Sequence, residues 1–260
     1  LGALAGLISG LLGLGGGVVI VPILILSFEM QGMAPEISTH VAIGTSLATI
    51  LVTSLSSIYT HHQNGAIKWN WVVKISPGIL FGSLLGGLIA LALNGNLLQL
   101  FFGGFLVLIS LQILFYTPTR RTKITPSSLT LGIAGISIGS LSALVGICGG
   151  ALTAAFLSYN GFKFHHAVGT AAVCGFPIAF VATLVYVSAS IPMDKLPSDT
   201  LGYIFIPAWL GIVLTSMPFA RFGALLAHRI NERLLKQLFA GIILILGLRF
   251  IWLNAVTTLG

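Results

Sequence analysis

From Leu1 to Phe28 the chain carries no Asp, Glu, Lys or Arg, and none occurs from Ile124 to Phe162. Runs of this kind suit a lipid bilayer, whose hydrocarbon core is ~30 Å thick and takes about 20 apolar residues of helix. Inside each run sits a glycine cluster: Gly10-Leu-Leu-Gly13-Leu-Gly15-Gly16-Gly17 and Ala143-Leu-Val-Gly146-Ile-Cys148-Gly149-Gly150. A glycine inside a helix costs roughly 1 kcal/mol relative to Ala. Each cluster therefore predicts a broken helix or a tight helix crossing.

The rest of the chain agrees with a lipid environment. It is 56% hydrophobic and 7% charged, with a mean hydropathy of +1.06, whereas a soluble domain is about a quarter charged. The expected fold class is an all-α polytopic membrane protein with the lipid bilayer as its surroundings. The alternating pattern of a membrane barrel is missing. The net charge of +7 points to no nucleic-acid partner, because the basic residues fall in short loops or at helix ends, where the positive-inside effect acts. Cys148 and Cys174 both lie in apolar segments, so no disulfide framework is indicated. No spacing of His, Cys, Asp or Glu resembles a metal site, no P-loop is present, and no cofactor is expected. No cleavable signal peptide is expected either, and a few residues are expected to precede Leu1.

Eight apolar segments can be drawn, at about 1–28, 38–60, 71–93, 97–116, 129–158, 165–191, 200–229 and 234–253. A polar, proline-flanked linker at 117–128 separates an N-terminal membrane repeat, 1–116, from a C-terminal one, 129–260. Three matches in the same order support a duplication. Ser9-Gly-Leu-Leu-Gly13 pairs with Ser142-Ala-Leu-Val-Gly146, His40-Val-Ala-Ile-Gly44-Thr45 with His165-His-Ala-Val-Gly169-Thr170, and Asn94-Gly-Asn-Leu97-Leu98 with Asn231-Glu-Arg-Leu234-Leu235. Loop charges reverse between the halves. Glu29 and Glu36 follow segment one and Lys68 and Lys74 follow segment two, whereas Lys163 follows segment five and Asp194 and Asp199 follow segment six. Equivalent loops then prefer opposite sides. That arrangement requires an odd number of crossings per half. Re-entrant hairpins at segments one and five, each bent at its glycines, supply it and give an inverted repeat of a type transporters use. The linker and the basic last turn (Arg229, Arg233, Lys236) would both face the cytoplasm.

At these residues the chain resembles the TauE/SafE sulfite exporter family. The likeness rests on Gly10-Leu-Leu-Gly-Leu-Gly-Gly-Gly17 leading to Pro22, on Ala42-Ile-Gly-Thr-Ser-Leu47, and on their degenerate second copies. The resemblance covers nearly the whole chain. It implies a multi-pass carrier in the inner membrane of a prokaryote that exports a small sulfur-containing anion, such as sulfite or an organosulfonate. It leaves the particular anion, the coupling and the oligomeric state open, a homodimer included. The second copies carry Cys148 for Gly15, Ala171 for Ser46 and Ala155 for Pro22, so the two halves are not expected to contribute equally.

The candidate anion-binding residues are Gly15, Gly16, Gly17, Cys148, Gly149 and Gly150 at the breaks, with Thr45, Ser46, Thr170, His40 and His165 nearby in sequence. A helix start offers unpaired N–H groups and about half a positive charge, which suits an anion. The same glycines also fit close helix packing. The hydroxyls of Thr45, Ser46 and Thr170 either cap helices or donate to an oxyanion. His40 and His165 either bind the anion or anchor the membrane interface. Cys148 is a weak donor or simply a small residue, and Arg221 either meets substrate or snorkels to headgroups. The acidic residues all fall in loops or at segment ends, leaving no buried carboxylate as a proton relay. A secondary carrier working about a midplane site is the expected function. The rivals are a channel-like anion pore and a membrane-embedded enzyme or assembly subunit, for which no nucleophile–base pair is found.

Overall fold

The computed structural model describes residues 2–3, 17–115, 126–189, 199–227 and 232–259. Nine helices run through these residues: α1 Gly17–Met30, α2 Pro35–Gln63, α3 Trp69–Ala92, α4 Gly95–Phe115, α5 Ser128–Val145, α6 Gly150–Tyr159, α7 Phe164–Val187, α8 Ile206–Ala227 and α9 Glu232–Leu259. Five of them are long and apolar enough to cross a membrane: α2, α3, α4, α5 and, from His165, α7. The chain is a multi-pass helical membrane protein. Most of the linker expected at 117–128 lies outside the described residues, as do Gly10 to Gly16 of the first glycine cluster.

Local chemistry sets the helix ends. Pro35 opens α2, where its missing N–H costs nothing. Ser127 opens α5 by accepting a bond from the Thr130 N–H, the usual N-cap arrangement. Gly146 closes α5 in the left-handed region, φ 74°, and Gly149 opens α6 at φ 64°. Segment five is therefore broken at its glycines. Segment seven, expected to be helical from 200, begins instead as a small hairpin. Strands β1, Thr200–Leu201, and β2, Ile204–Phe205, pair antiparallel with Thr200 opposite Phe205. Gly202 makes the turn at φ 56°, and the helix starts after it, with Pro207 in its first turn.

Small residues control how the helices approach. Among the described elements the α3–α5 interface is the most extensive. Gly78, Gly82 and Gly86 on α3 lie against the backbone of Gly132, Ile136 and Ser140 on α5, while Gly135 and Gly139 lie against Ile75 and Ile79. Both sets ascend together, so the two helices run parallel. Without Cβ atoms the backbones meet directly, the close packing that membrane helices use in place of a hydrophobic driving force. Helices α4 and α9 run antiparallel, with Gly103 against Gly247 and the Ser110 hydroxyl donating to the Ala240 carbonyl at 2.8 Å. At one end of that pair Asn254 donates to Gln99 and Gln99 to Glu29, each at 2.8 Å. At the other end of the chain, Gly2 rests on Gly211 and Ile212 of α8. Helix α1 is wholly apolar from 17 to 26, and Val18, Val21, Leu24, Ile25 and Phe28 are in the core.

Helix α6 turns back from the end of α5 and packs along α7. Gly149, at its start, lies beside Ile178, and Gly175 lies against Cys148, so α6 begins halfway along α7. Beyond its end, Phe162 packs edge-on against Trp71 at the start of α3, with ring centroids 4.7 Å apart. Gly135 of α5 is near that same end of α3. Helices α5 and α6 are thus the two arms of a hairpin that opens at the α3 start, with the Gly146–Gly150 turn at its tip.

Candidate functional site: the glycine turn between α5 and α6

The hairpin tip is buried, and the first described residue of α1 meets it. A Cβ placed on Gly17, the first described residue of α1, would stand 3.1 Å from the Gly146 carbonyl oxygen and from Ile147 Cα. Gly17 of α1 therefore touches the turn from which α6 starts. Ser46 of α2 fixes the turn by donating to the Gly146 carbonyl at 3.0 Å. Ile43 packs on Gly146, and Cys148 is buried against Ile50 and Ala179. Gly149 supplies no side-chain cap to α6, the Gly150 N–H donates to the Cys148 sulfur, and nothing described lies within 4 Å of where a Cβ on Gly150 would stand. Among the described residues, the side of α6 at Gly150 therefore has room for a further group.

Two buried hydroxyls near the tip lack partners. In apolar helices serine and threonine usually donate to the carbonyl one turn back, as Thr49, Ser76, Ser83 and Ser140 do here. Ser142 and Thr153 are fully buried, and neither hydroxyl has a hydrogen-bond partner. An unsatisfied buried hydroxyl costs about 1–3 kcal/mol. The Ser142 Oγ stands 2.7 Å from the Cβ position of Gly149, beside the start of α6. Thr153 lies one turn into α6. Sequence reasoning singled out neither residue. The one available signal was the match of Ser142 to Ser9 in the repeat; Thr153 has Ile20 at the corresponding position and offered none.

The repeated Gly-Thr pairs hold segments of the opposite half. Gly44 lies against Tyr203, with the Tyr203 carbonyl oxygen 2.6 Å from its Cβ position, and Thr45 accepts the Phe205 N–H at 3.0 Å. Gly169 lies against Ala66, and Thr170 accepts the Lys68 N–H at 3.0 Å. Each pair clasps the strand or loop that leads into a helix of the other half, α8 in one case and α3 in the other. Both threonines are fully buried. Replacing Thr45 with Val strips the Phe205 N–H of its acceptor and is expected to lower stability by about 1–3 kcal/mol, read as a drop in melting temperature of the purified protein. Thr45→Ser keeps the acceptor and is expected to melt close to the wild type.

The histidines also stand away from the tip. His40 is buried, with Nδ1 2.9 Å from the Glu36 carbonyl oxygen and Nε2 3.0 Å from that of Ala90. A neutral ring can donate to only one of these carbonyls and a charged ring to both. Its ring also stacks on Tyr203 at 5.1 Å. His165 is exposed and lies against His166, which bonds the Ala66 carbonyl. Of the predicted site residues, the structure brings Gly17, Ser46, Cys148, Gly149 and Gly150 together. Thr45 and His40 sit at the Tyr203 clasp, Thr170 and His165 at or near the Ala66 clasp. Gly15 and Gly16 lie outside the described residues, as does the side chain of Arg221.

Comparison with known proteins agrees with this architecture. The family description "Sulfite exporter TauE/SafE" matches residues 1–250. The chain belongs to the TauE/SafE family. Among its relatives, a probable membrane transporter protein of Haemophilus influenzae is 31% identical over 250 residues, covering 95% of this chain and 94% of the relative. A probable membrane transporter protein of Methanocaldococcus jannaschii is 26% identical over 256 residues, covering 95% and 91%. No solved structure matches the chain. The TauE/SafE assignment makes the protein a probable transporter, and the buried, partly unsatisfied glycine turn is its candidate binding site.

Proposed function

We propose that this TauE/SafE protein is a secondary transporter, a probable exporter, of a small sulfur oxyanion such as sulfite or an organosulfonate. On this reading it is not an enzyme, and it works in the inner membrane of a prokaryote. The observation that carries the reading is the contact of Gly17, the first described residue of α1, with the buried turn from which α6 starts at Gly149–Gly150. Lipid cannot satisfy amides exposed at such a break, and an anion can.

Inverted repeats are the framework for it. Taking α1 with α6, α2 with α7, α3 with α8 and α4 with α9, exchange of the halves maps contacts onto one another. The α4–α9 and α2–α7 interfaces map onto themselves, α3 on α5 corresponds to α8 on Gly2, and the two Gly-Thr clasps correspond to each other. Gly95 lies against Glu36, so the end of α1 and the start of α2 share an end of the bundle with the start of α4. The α5–α6 hairpin opens at the opposite end, near Trp71. Glu29, Glu36 and Asp199 fall at the first end, Lys68 and Lys163 at the second, and the positive-inside effect assigns the second to the cytoplasm. Single cysteines at Glu36 and Lys163, both exposed, are expected to react with impermeant thiol reagents from opposite sides. Labelling from one side would reject the inverted arrangement.

Purified protein in liposomes tests the function itself. Saturable sulfite flux with counterflow is expected of a carrier. Flux that does not saturate and is accompanied by conductance would favour a pore, and absence of any sulfur-anion flux would reject the substrate class.

A further inference from the structure

We infer that Ser142 of α5 and Thr153 of α6 are side chains that hold the transported oxyanion, one hydroxyl from each arm of the hairpin. This rests on the transporter reading above and names ligand-binding groups of that same site. Both residues are fully buried, and neither hydroxyl has a partner among the described residues. They converge on Gly149. The Ser142 Oγ is 2.7 Å from the Gly149 Cβ position, and the Thr153 N–H donates to the Gly149 carbonyl at 2.9 Å. Residues four apart share a helix face, so Thr153 stands one turn beyond Gly149 on the same side of α6. A helical serine or threonine in apolar surroundings has a ready acceptor in the carbonyl one turn back. Ser140, two positions before Ser142, uses it, donating to the Ile136 carbonyl at 2.8 Å, and Thr49 and Ser83 do the same. Ser142 and Thr153 leave that bond unmade. A buried hydroxyl without a partner destabilises the empty protein, and a ligand that accepts its O–H removes the deficit. Bonds from hydroxyls to an anion are stronger than those to a neutral acceptor. Each hydroxyl has one proton to donate, and the two come from different helices, which suits a ligand carrying several acceptor oxygens. A sulfur oxyanion is such a ligand, and the first turn of α6 has room beside Gly150.

Stability and affinity should then move in opposite directions. Ser142→Ala and Thr153→Val each remove an unpartnered hydroxyl, so both purified variants are expected to melt at or above the wild-type temperature without ligand. In calorimetric titration with sulfite each is expected to bind roughly tenfold more weakly, and sulfite should raise its melting temperature less than that of the wild type. Thr153→Ser keeps the hydroxyl and is expected to bind close to the wild type. Ser140→Ala removes a hydroxyl already bonded within its own helix and is expected to keep wild-type affinity. Either of the first two variants carries the test where the other fails to fold. Wild-type affinity in both would overturn the assignment and leave the hydroxyls to a resident water only. Lower melting of both without sulfite would also overturn it, by showing that the hydroxyls already bond within the fold. Liposome flux separates this assignment from the transporter reading. Saturable sulfite flux with wild-type half-saturation in both variants would reject the hydroxyls alone, and absence of flux from the wild type would reject the reading beneath them.

Discussion

Gly82→Val is expected to leave little or no folded protein, whereas Gly104→Ala is expected to be silent or slightly stabilising. A Cβ on Gly82 would stand inside the Ile136 backbone, 2.7 Å from its Cα, while one on Gly104 would meet nothing within 4 Å. A side chain that runs into the tip of a flexible neighbour is tolerated by a rotamer change. One that runs into backbone can be relieved only by parting the helices. Gly78 and Gly86 hold the same parallel contact one turn to either side, so α3 cannot pivot away locally. Overpacking costs about 1–3 kcal/mol in ordinary cores and more where the neighbours cannot yield, and Val at position 82 falls in the second class. Gly104→Ala removes a helix-interior glycine, worth up to about 1 kcal/mol in favour of the variant. Size-exclusion profiles and melting curves in detergent separate these outcomes. A monodisperse Gly82→Val protein with wild-type melting would show that the α3–α5 contact is not what holds the bundle.

That glycine stripe illustrates what could and could not be read from the chain. The helical membrane class followed from charge-free runs alone, because no soluble fold buries them. The break at 146–150 was legible for the same physical reason: glycines clustered where a helix pays for each of them had to serve a turn or a close approach, and Gly146 and Gly149 adopt left-handed conformations. The spacing of Gly78, Gly82 and Gly86 was equally visible, but a four-residue period says only that something approaches, not that α5 does. The repeated Gly-Thr pairs were recognised as a repeat, and their partners were not. Thr45 reaches Phe205, 160 residues away, and Thr170 reaches Lys68, 102 residues away, distances over which no local pattern carries information. The β1–β2 hairpin escaped because two-residue strands have no periodicity to detect. Ser142 escaped because an unpartnered hydroxyl is a property of what surrounds it: Ser140, two positions earlier, is chemically identical and bonds its own helix.

At the turn itself, Gly149→Val is expected to reduce transport by about a hundredfold or more, the equivalent of ~2.7 kcal/mol, while the protein still inserts in the membrane. Two separate costs fall on this position. Its φ of 64° is a left-handed conformation that costs a residue with a side chain about 1–2 kcal/mol, and its Cβ would stand 2.5 Å from Ile178 Cδ1 and 2.7 Å from Ser142 Oγ. The Ile178 clash involves a flexible tip, so Ile178→Ala in the Gly149→Val background is expected to relieve the packing cost and leave the backbone cost and the displaced Ser142. Transport should therefore recover only in part. Gly150 separates folding from binding more cleanly. It lies in helical conformation with nothing described within 4 Å of its Cβ position, so Gly150→Ala should melt like the wild type or slightly above it. The added methyl group would nevertheless occupy the space beside the first turn of α6. If that space receives the anion, apparent affinity falls while stability holds. Unimpaired sulfite transport by a stable Gly150→Ala protein would mean that the amides at this turn face packing alone, and that the anion path runs elsewhere.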